Sequence, residues 1–188
     1  MSYDRGMKKL LPIVIFIMAF FGFLSSQIIW DTFNLNAEQV KEDKQKYGLY
    51  ESNFYTLKLT TLENESIELK NVAEPIIVLN FWASWCRPCL EEFPSLVQFQ
   101  EKYKGKVKVI GINGDEENPR ENALKTQKKY GLNFPSTLDN RGRIGEKFLI
   151  NTYPVSIIFH QGKVIYVSKK LHNFMDESFL KMIDSHLK

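Results

Sequence analysis

The stretch that decides the fold is NFWASWCRPCLEEFP, Asn80–Pro94, which holds both cysteines of the chain, Cys86 and Cys89. The continuous apolar run IIVLNFW, residues 76–82, ends just before them and is typical of a strand covered on both faces. From Arg87 onward the apolar residues recur at helical spacing. The partial positive charge of a helix N-terminus favours a thiolate. We therefore expect Cys86 to be the attacking thiol and Cys89, one turn later, to resolve the mixed disulfide.

Other uses of the two cysteines fit the sequence less well. Structural zinc needs about four ligands, whereas the chain has no second cysteine pair and its three histidines have no metal-site spacing. If the two cysteines were only buried apolar residues, the neighbouring Trp85, Pro88 and Pro94 would be unexplained. A purely structural disulfide would close a very short loop and therefore stabilise the protein little. Arg87 adds a cation next to Cys86, and Pro88 stiffens the start of the helix. We predict a redox pair that needs no metal and no cofactor.

The rest of the chain alternates strands with helices, which predicts a central sheet with helices on both faces. A hairpin is predicted over residues 54–69, with Glu63, Asn64 and Glu65 in its turn. The predicted strands are 107–113, 155–159 and 163–168, with an extended segment at 133–139. The predicted helices are 87–103, 119–130 with Asn118 as N-cap, 141–149 and 176–187.

The N-terminal region predicts a membrane anchor. The run LLPIVIFIMAFFGFLSSQII, residues 10–29, carries no charge, and twenty helical residues span ~30 Å, about one hydrocarbon core. Basic residues precede this run and the next one is Lys41, which places the N-terminus in the cytoplasm. We expect a cytoplasmic tail at 1–9, an anchor at 10–30, a linker at 31–50 and an extracytoplasmic domain at 51–188. A cleaved signal peptide is the alternative, although its apolar region would be shorter.

The segment LNFWASWCRPCLEEFPSL, residues 79–96, resembles the active-site segment of thioredoxin-fold proteins. In particular it is similar to the membrane-anchored TlpA/ResA-like family of bacterial thiol–disulfide oxidoreductases. The segments VIGINGDEE (109–117), YGLNFPSTLD (130–139) and TYPVSIIFHQGKVI (152–165) follow in the expected order. The resemblance implies an α/β fold: a thioredoxin-like central mixed sheet flanked by helices, with an N-terminal hairpin extension, an inserted helix and an N-terminal transmembrane helix.

The resemblance also implies roles for single residues. It implies a cis peptide bond at Tyr153–Pro154 that faces Cys86 and exposes the Tyr153 backbone to a substrate chain. Glu92 matches a glutamate that tunes the thiols in ResA-like members, although it could instead be an acid that complements the helix dipole. Asn80 stands where thioredoxin has a buried acid. The residues expected to contact substrate are Trp85, Arg87, Pro88 and Tyr153.

The function implied by the resemblance is reduction of disulfides in specific extracytoplasmic proteins. The haem-binding Cys-x-x-Cys-His of apocytochrome c is the first candidate client, and a membrane electron donor would return the enzyme to its dithiol form. Two alternatives stay open: an oxidase that introduces disulfides, and a copper-delivery module of related fold. A peroxiredoxin is excluded by Ala83, where that class needs Thr or Ser. The net charge of +3 gives no electrostatic footprint for nucleic acid.

Overall fold

The computed structural model describes the backbone of residues 4–188, and the side chains of that range except those of residues 4–15, 31 and 33–43. The helices are α1 Asp4–Thr56, α2 Arg87–Lys102, α3 Pro119–Tyr130, α4 Arg143–Lys147 and α5 Glu177–His186. The strands are β1 Lys58–Thr60, β2 Ser66–Glu68, β3 Ile76–Trp82, β4 Val107–Asn113, β5 Ser136–Leu138, β6 Val155–His160 and β7 Lys163–Ser168. Short 3-10 helices lie at Leu69–Asn71 and Asn140–Gly142.

A five-stranded mixed sheet forms the centre of the fold, in the order β5-β4-β3-β6-β7. The pairs β3–β4 and β4–β5 are parallel, whereas β3–β6 and β6–β7 are antiparallel. The antiparallel hairpin β1–β2 stands before this sheet in the chain. The predicted thioredoxin-like arrangement of a mixed sheet with flanking helices and an N-terminal hairpin is thus confirmed.

Side chains of β3 alternate between two hydrophobic cores, because successive residues of a strand point to opposite faces. Val78 and Trp82 belong to the core that also contains Cys89 and Phe93 of α2. The odd-numbered residues of β3, Ile77, Leu79 and Phe81, belong to the second core. Both faces are therefore covered, which explains why the whole strand is buried and why its sequence is a continuous apolar run.

The last turns of α1 belong to the compact unit that contains the sheet. That unit begins at Tyr47, four residues before the predicted start at residue 51. Tyr50 is only 1% exposed, and its ring lies 5.7 Å from that of Phe148. Phe54, which we expected in the hairpin, is in α1 and packs on Phe159, with ring centroids 4.9 Å apart. The predicted hairpin is therefore shorter at its start, because this helical turn covers the second core.

The predicted cytoplasmic tail and membrane anchor lie partly outside the residues whose side chains are described. The compact unit before Tyr47 is Met1–Lys46. Within the described residues, no helix meets the length and hydropathy needed to cross a bilayer. Several apolar side chains of α1 are exposed, among them Phe16, Phe20, Phe23 and Trp30.

Candidate active site

Cys86 and Cys89 form a disulfide at the point where the β3 strand gives way to helix α2. Cys86 is the N-cap of α2, and its Sγ accepts a hydrogen bond from the backbone N–H of Cys89 at 3.3 Å. Cys86 is 4% exposed and Cys89 is fully buried. The sulfur of Cys86 thus lies at the positive end of the helix, and Cys86 is the more exposed residue of the two.

Glu92 is buried one turn after Cys89 on α2, with 2% of its surface exposed. Its Oε1 accepts a hydrogen bond from Asn80 Nδ2 at 2.8 Å, and its Oε2 accepts one from the backbone N–H of His172 at 3.2 Å. Burial raises the pKa of this carboxyl from 4.5 to about 7, although both hydrogen bonds oppose the rise. Glu92 can therefore gain or lose a proton near neutral pH.

The alternative in which Glu92 only complements the helix dipole does not fit this burial. The neighbouring Glu91 is exposed and forms an ion pair with Arg87, with Nε 2.9 Å from Oε1. The side chain of Arg87 is 89% exposed. The cation that we expected to act on Cys86 therefore has its own carboxylate partner in solvent, which weakens its effect on the sulfur.

The peptide bond between Tyr153 and Pro154 is cis, which confirms the cis geometry that the resemblance implied. The ring of Tyr153 lies edge-to-face with that of Trp85, at 5.8 Å between centroids. Trp85 is 69% exposed, whereas Tyr153 is partly buried. This contact places the Tyr153–Pro154 turn beside the residue that precedes Cys86. The exposed ring of Trp85, backed by the partly buried ring of Tyr153, is a surface of the kind that contacts other proteins.

The end of β4 holds the loop before Cys86 in place. Asp115 is 5% exposed, and its Oδ1 accepts a hydrogen bond from the backbone N–H of Ser84 at 2.8 Å. Its Oδ2 accepts one from Asn113 Nδ2 at 3.0 Å.

Burial raises the pKa of Tyr153, and the negative charges of Asp139, Asp115 and Glu116 raise it further, so the phenol stays protonated.

Gly114 is required by the close approach of Tyr153. A Cβ at this position would overlap the Tyr153 hydroxyl and the ring carbon that bears it. We expect Gly114→Ala to destabilise the protein by about 1–3 kcal/mol or to displace the tyrosine, as overpacking does elsewhere. Thermal unfolding measures the loss, and the double variant Gly114→Ala/Tyr153→Ala should restore much of it. A fully stable single variant with an unmoved Tyr153 would contradict the prediction.

A cavity of about 770 Å³ lies beside Tyr153. Its polar lining includes Asp115 and Glu116 after β4, and Arg141 and Arg143 around the start of α4. It provides room next to the aromatic pair for part of a bound chain.

Several of these contacts were not predicted from the sequence. The bonds from Asn80 and from the backbone of His172 to Glu92, and the bond from Ser84 to Asp115, join residues far apart in the chain. One signal was available for the first of them: Asn80 is an amide in the middle of an otherwise apolar strand, where a buried polar group needs a partner.

The three histidines lie in different settings: the rings of His160 and His186 are 5.4 Å apart, whereas the backbone N–H of His172 bonds Glu92. Burial lowers the pKa of His172, whose ring packs against Phe174 and Phe179 with centroids 4.9 and 4.6 Å away. Among the residues with described side chains, no group of three or more His, Cys, Asp or Glu is placed to hold a metal ion.

Comparison with known proteins decides the family. Residues 51–167 match the sequence family described as the AhpC/TSA family. The chain belongs to this family. It is 37% identical over 128 residues to a thiol-disulfide oxidoreductase ResA from Bacillus thuringiensis subsp. konkukian (strain 97-27), with 66% of this chain and 70% of the relative covered. The predicted TlpA/ResA-like membership is therefore confirmed.

Solved structures agree on the fold of this AhpC/TSA member. One is a secreted Mycobacterium tuberculosis disulfide oxidoreductase homologous to Escherichia coli DsbE, with a TM-score of 0.60, 22% identity, and 71% of this chain and 98% of that chain covered. Another is StoA from Bacillus subtilis, with a TM-score of 0.56, 24% identity, and coverage of 68% and 93%. The ResA relatives and the Cys-x-x-Cys disulfide make this chain a thiol–disulfide oxidoreductase, and the solved structures agree with its thioredoxin-like fold.

Proposed function

We propose that this protein is a membrane-tethered reductase of disulfides in specific extracytoplasmic proteins, acting through Cys86 and Cys89. The observation that carries the proposal is the Cys86–Cys89 disulfide at the N-terminus of α2, with the buried carboxyl of Glu92 one turn beyond Cys89. This arrangement combines an activated sulfur, a resolving sulfur and a group that titrates near neutral pH.

In the first step of the proposed reaction, the dithiol enzyme forms a mixed disulfide with its client. The Cys86 thiolate, stabilised by the helix N-terminus and by the N–H of Cys89, attacks one sulfur of the client disulfide. The new bond joins Cys86 to that sulfur while the client S–S bond breaks. The client sulfur that departs as a thiolate takes up a proton from water and becomes a thiol.

In the second step, Cys89 resolves the mixed disulfide. Its thiol gives a proton to the Glu92 carboxylate and then attacks Cys86 Sγ. The bond between Cys86 and the client breaks, and the second client thiolate takes up the proton that Glu92 held. Two electrons have passed to the client, and the enzyme is left with its Cys86–Cys89 disulfide. A dithiol electron donor in the membrane must then reduce that disulfide.

The electrostatics of the site favour a reductase over a disulfide-introducing oxidase. Strong oxidants of this fold owe their high potential to stabilisation of the reduced form. Here the negative charge of ionised Glu92 would make ionisation of the Cys89 thiol less favourable. The positive charge of Arg87 is paired with Glu91, so it stabilises a thiolate less. Both effects destabilise the reduced form and lower the potential. Nothing in the site favours the copper-delivery alternative, for which the cysteine spacing is also wrong.

The membrane tether is proposed from the apolar run at residues 10–30. The large side chains that are described in this run, such as Phe16, Phe20 and Phe23, are 72%, 51% and 60% exposed. A helical segment with apolar residues on its surface is suited to a lipid environment. The basic residues that precede the run orient the catalytic domain to the extracytoplasmic, periplasmic side. Tethering would restrict the enzyme to clients near the membrane.

The proposed client-binding surface consists of Trp85, Tyr153 and the cavity beside them. An extended client segment would pair with the Tyr153 backbone at the cis-proline while its disulfide meets Cys86. Arg87 and Pro88 border the same sulfur on the helix side. The proposed client is apocytochrome c. The disulfide of its Cys-x-x-Cys-His segment would close a ring with the same cysteine spacing as the Cys86–Cys89 ring of the enzyme.

The test uses the full-length chain in its dithiol form. We expect a reduction potential near or below about −230 mV, measured by equilibration in glutathione buffers, and a value near about −120 mV would instead indicate an oxidant.

We also expect an oxidised Cys-x-x-Cys-His peptide to be reduced at least about 10-fold faster than insulin, a gain that one or two extra contacts supply. A peptide with alanine in place of the histidine is the matched control, and equal rates for all three substrates would contradict client specificity.

A further inference from the structure

Asn80 lies where β3 passes beneath helix α2, with no solvent exposure. Its two neighbours on the same strand face, Val78 and Trp82, are apolar and belong to the core that contains Cys86 and Cys89. The amide is therefore a polar group in a hydrophobic layer, where an unpaired donor would be costly. The role of Asn80 therefore depends on which atoms its side-chain amide bonds.

Both donors of the Asn80 amide are used, and both point toward oxygen atoms. Nδ2 donates to Glu92 Oε1 at 2.8 Å and to Ser156 Oγ at 3.0 Å. Ser156 is the residue that pairs with Asn80 between β3 and β6, so the sheet itself fixes this second contact. Asn80 Oδ1 has no hydrogen-bond partner among the residues with described side chains.

The orientation of the amide follows from these neighbours. If the nitrogen and oxygen were exchanged, Oδ1 would lie against a Glu92 carboxylate oxygen, and no N–H would be directed at either residue. The observed orientation makes Asn80 a pure donor toward Glu92. A pure donor stabilises the carboxylate more than the protonated acid, since the acid has one fewer lone-pair acceptor and needs an acceptor for its own proton.

We propose that Asn80 is a positioning residue that, together with Ser156, holds the side chain of Glu92 on the Cys89 face of α2 and stabilises its ionised form. The proposal rests on the proposed role of Glu92 in proton transfer. Burial by itself favours the protonated form of Glu92, which cannot accept a proton from Cys89. Asn80 counters that effect without adding a second buried charge.

Among the residues with described side chains, the side-chain hydrogen bond to Glu92 comes from Asn80. Nearby titratable groups are Cys89, one turn earlier on α2, and His172 in the loop after β7, with Tyr166 of β7 behind it. His172 contributes its backbone N–H, while its ring packs against Tyr166 at 5.4 Å between centroids. The Arg87–Glu91 pair is exposed on another side of the helix. The side-chain donor of Glu92 is thus Asn80.

The test measures the ionisation of Glu92 in the oxidised full-length protein, where no disulfide exchange takes place. The carboxyl ¹³C resonance of Glu92 is assigned by its loss in Glu92→Gln and followed against pH. We expect a midpoint near 7 in the unchanged protein. In Asn80→Leu, which keeps the size but removes both donors, the midpoint should rise by about one pH unit or more, as expected for loss of a hydrogen bond to a charged group.

The control is Asn113→Leu, which removes another fully buried amide at the end of a neighbouring strand and should leave the midpoint unchanged. A folded Asn80→Leu variant with an unchanged midpoint would overturn the proposal. If that variant does not fold, Ser156→Ala is measured instead. Its midpoint should rise by a smaller amount, about half a pH unit, because the amide loses the contact that fixes its orientation. An unchanged midpoint there would also overturn the proposal.

The same variants separate this proposal from the proposed function. The pH profile of client reduction should shift in Asn80→Leu by the same amount and in the same direction as the ionisation of Glu92. If ionisation shifts but the pH profile does not, Asn80 positions Glu92 as proposed, and it is the role of Glu92 in exchange that fails.

Discussion

Replacing Cys86 with serine is expected to abolish disulfide reduction, a loss on the order of 10³-fold or more, as for the removal of a covalent nucleophile in other enzymes. A serine hydroxyl stays protonated at neutral pH and does not attack a disulfide sulfur. Cys89 cannot take over, because it is fully buried whereas Cys86 is the N-cap residue at the helix end. Reduction of insulin by the full-length dithiol protein, followed by turbidity, measures the loss.

Cys89→Ser is the matched variant for this prediction. It keeps the attacking sulfur but lacks the resolving one, so it should accumulate a mixed disulfide with the client that mass spectrometry detects. Cys86→Ser should form no such adduct. Adduct formation by Cys86→Ser, or full activity of either variant, would show that the assignment of the two sulfurs is wrong.

Glu92→Gln is expected to gain stability relative to the unchanged protein as the pH rises. The pKa of Glu92 is about 7 in the folded protein but near its ordinary 4.5 when unfolded. The folded state therefore binds this proton more tightly. The stability that protonated Glu92 contributes to the folded protein is fully present below pH 4.5 and is lost as the pH rises through 7. Across this window the difference amounts to about 3 kcal/mol in the free energy of unfolding.

Urea unfolding of the oxidised full-length protein between pH 4.5 and 8 measures this effect. Glutamine keeps the size of the side chain but cannot ionise, so the unfolding free energy of Glu92→Gln relative to the unchanged protein should increase by that amount over the range. The control is Glu91→Gln, whose carboxylate is exposed beside Arg87 and should give a nearly constant difference. A constant difference for Glu92→Gln would show that its carboxyl is not held in a buried site.

Local signals in the sequence predicted most of the elements. Helix α3 begins at Pro119 and ends before Gly131, as expected from the preference of proline for the first turn and of glycine for the position after a helix. Asn118 does precede the helix, but it adopts a left-handed conformation and its side chain makes no capping bond. The position of the helix was thus predictable, whereas the contact at its start depends on how the chain enters from β4.

The boundary before the hairpin could not be predicted from local pattern. Residues 31–50 are polar, which favoured a linker, yet Tyr50 is buried in the second core. Phe54 and Tyr50 lie four residues apart in a helix and on the same side, but the spacing alone does not say what covers them. Phe148 and Phe159, about a hundred residues later, supply the partners.

By itself the sequence determined the fold class, the place of the two cysteines at a strand-to-helix junction and the family. These depend on residues that are close in the chain, where periodicity and helix geometry act directly. The ionisation of Glu92 was decided only by the tertiary structure, because burial under the loop after β7 and the bonds from Asn80 and His172 come from three separate parts of the chain. An ionisation equilibrium depends on all the charges, donors and solvent around a group, and only folding brings these together.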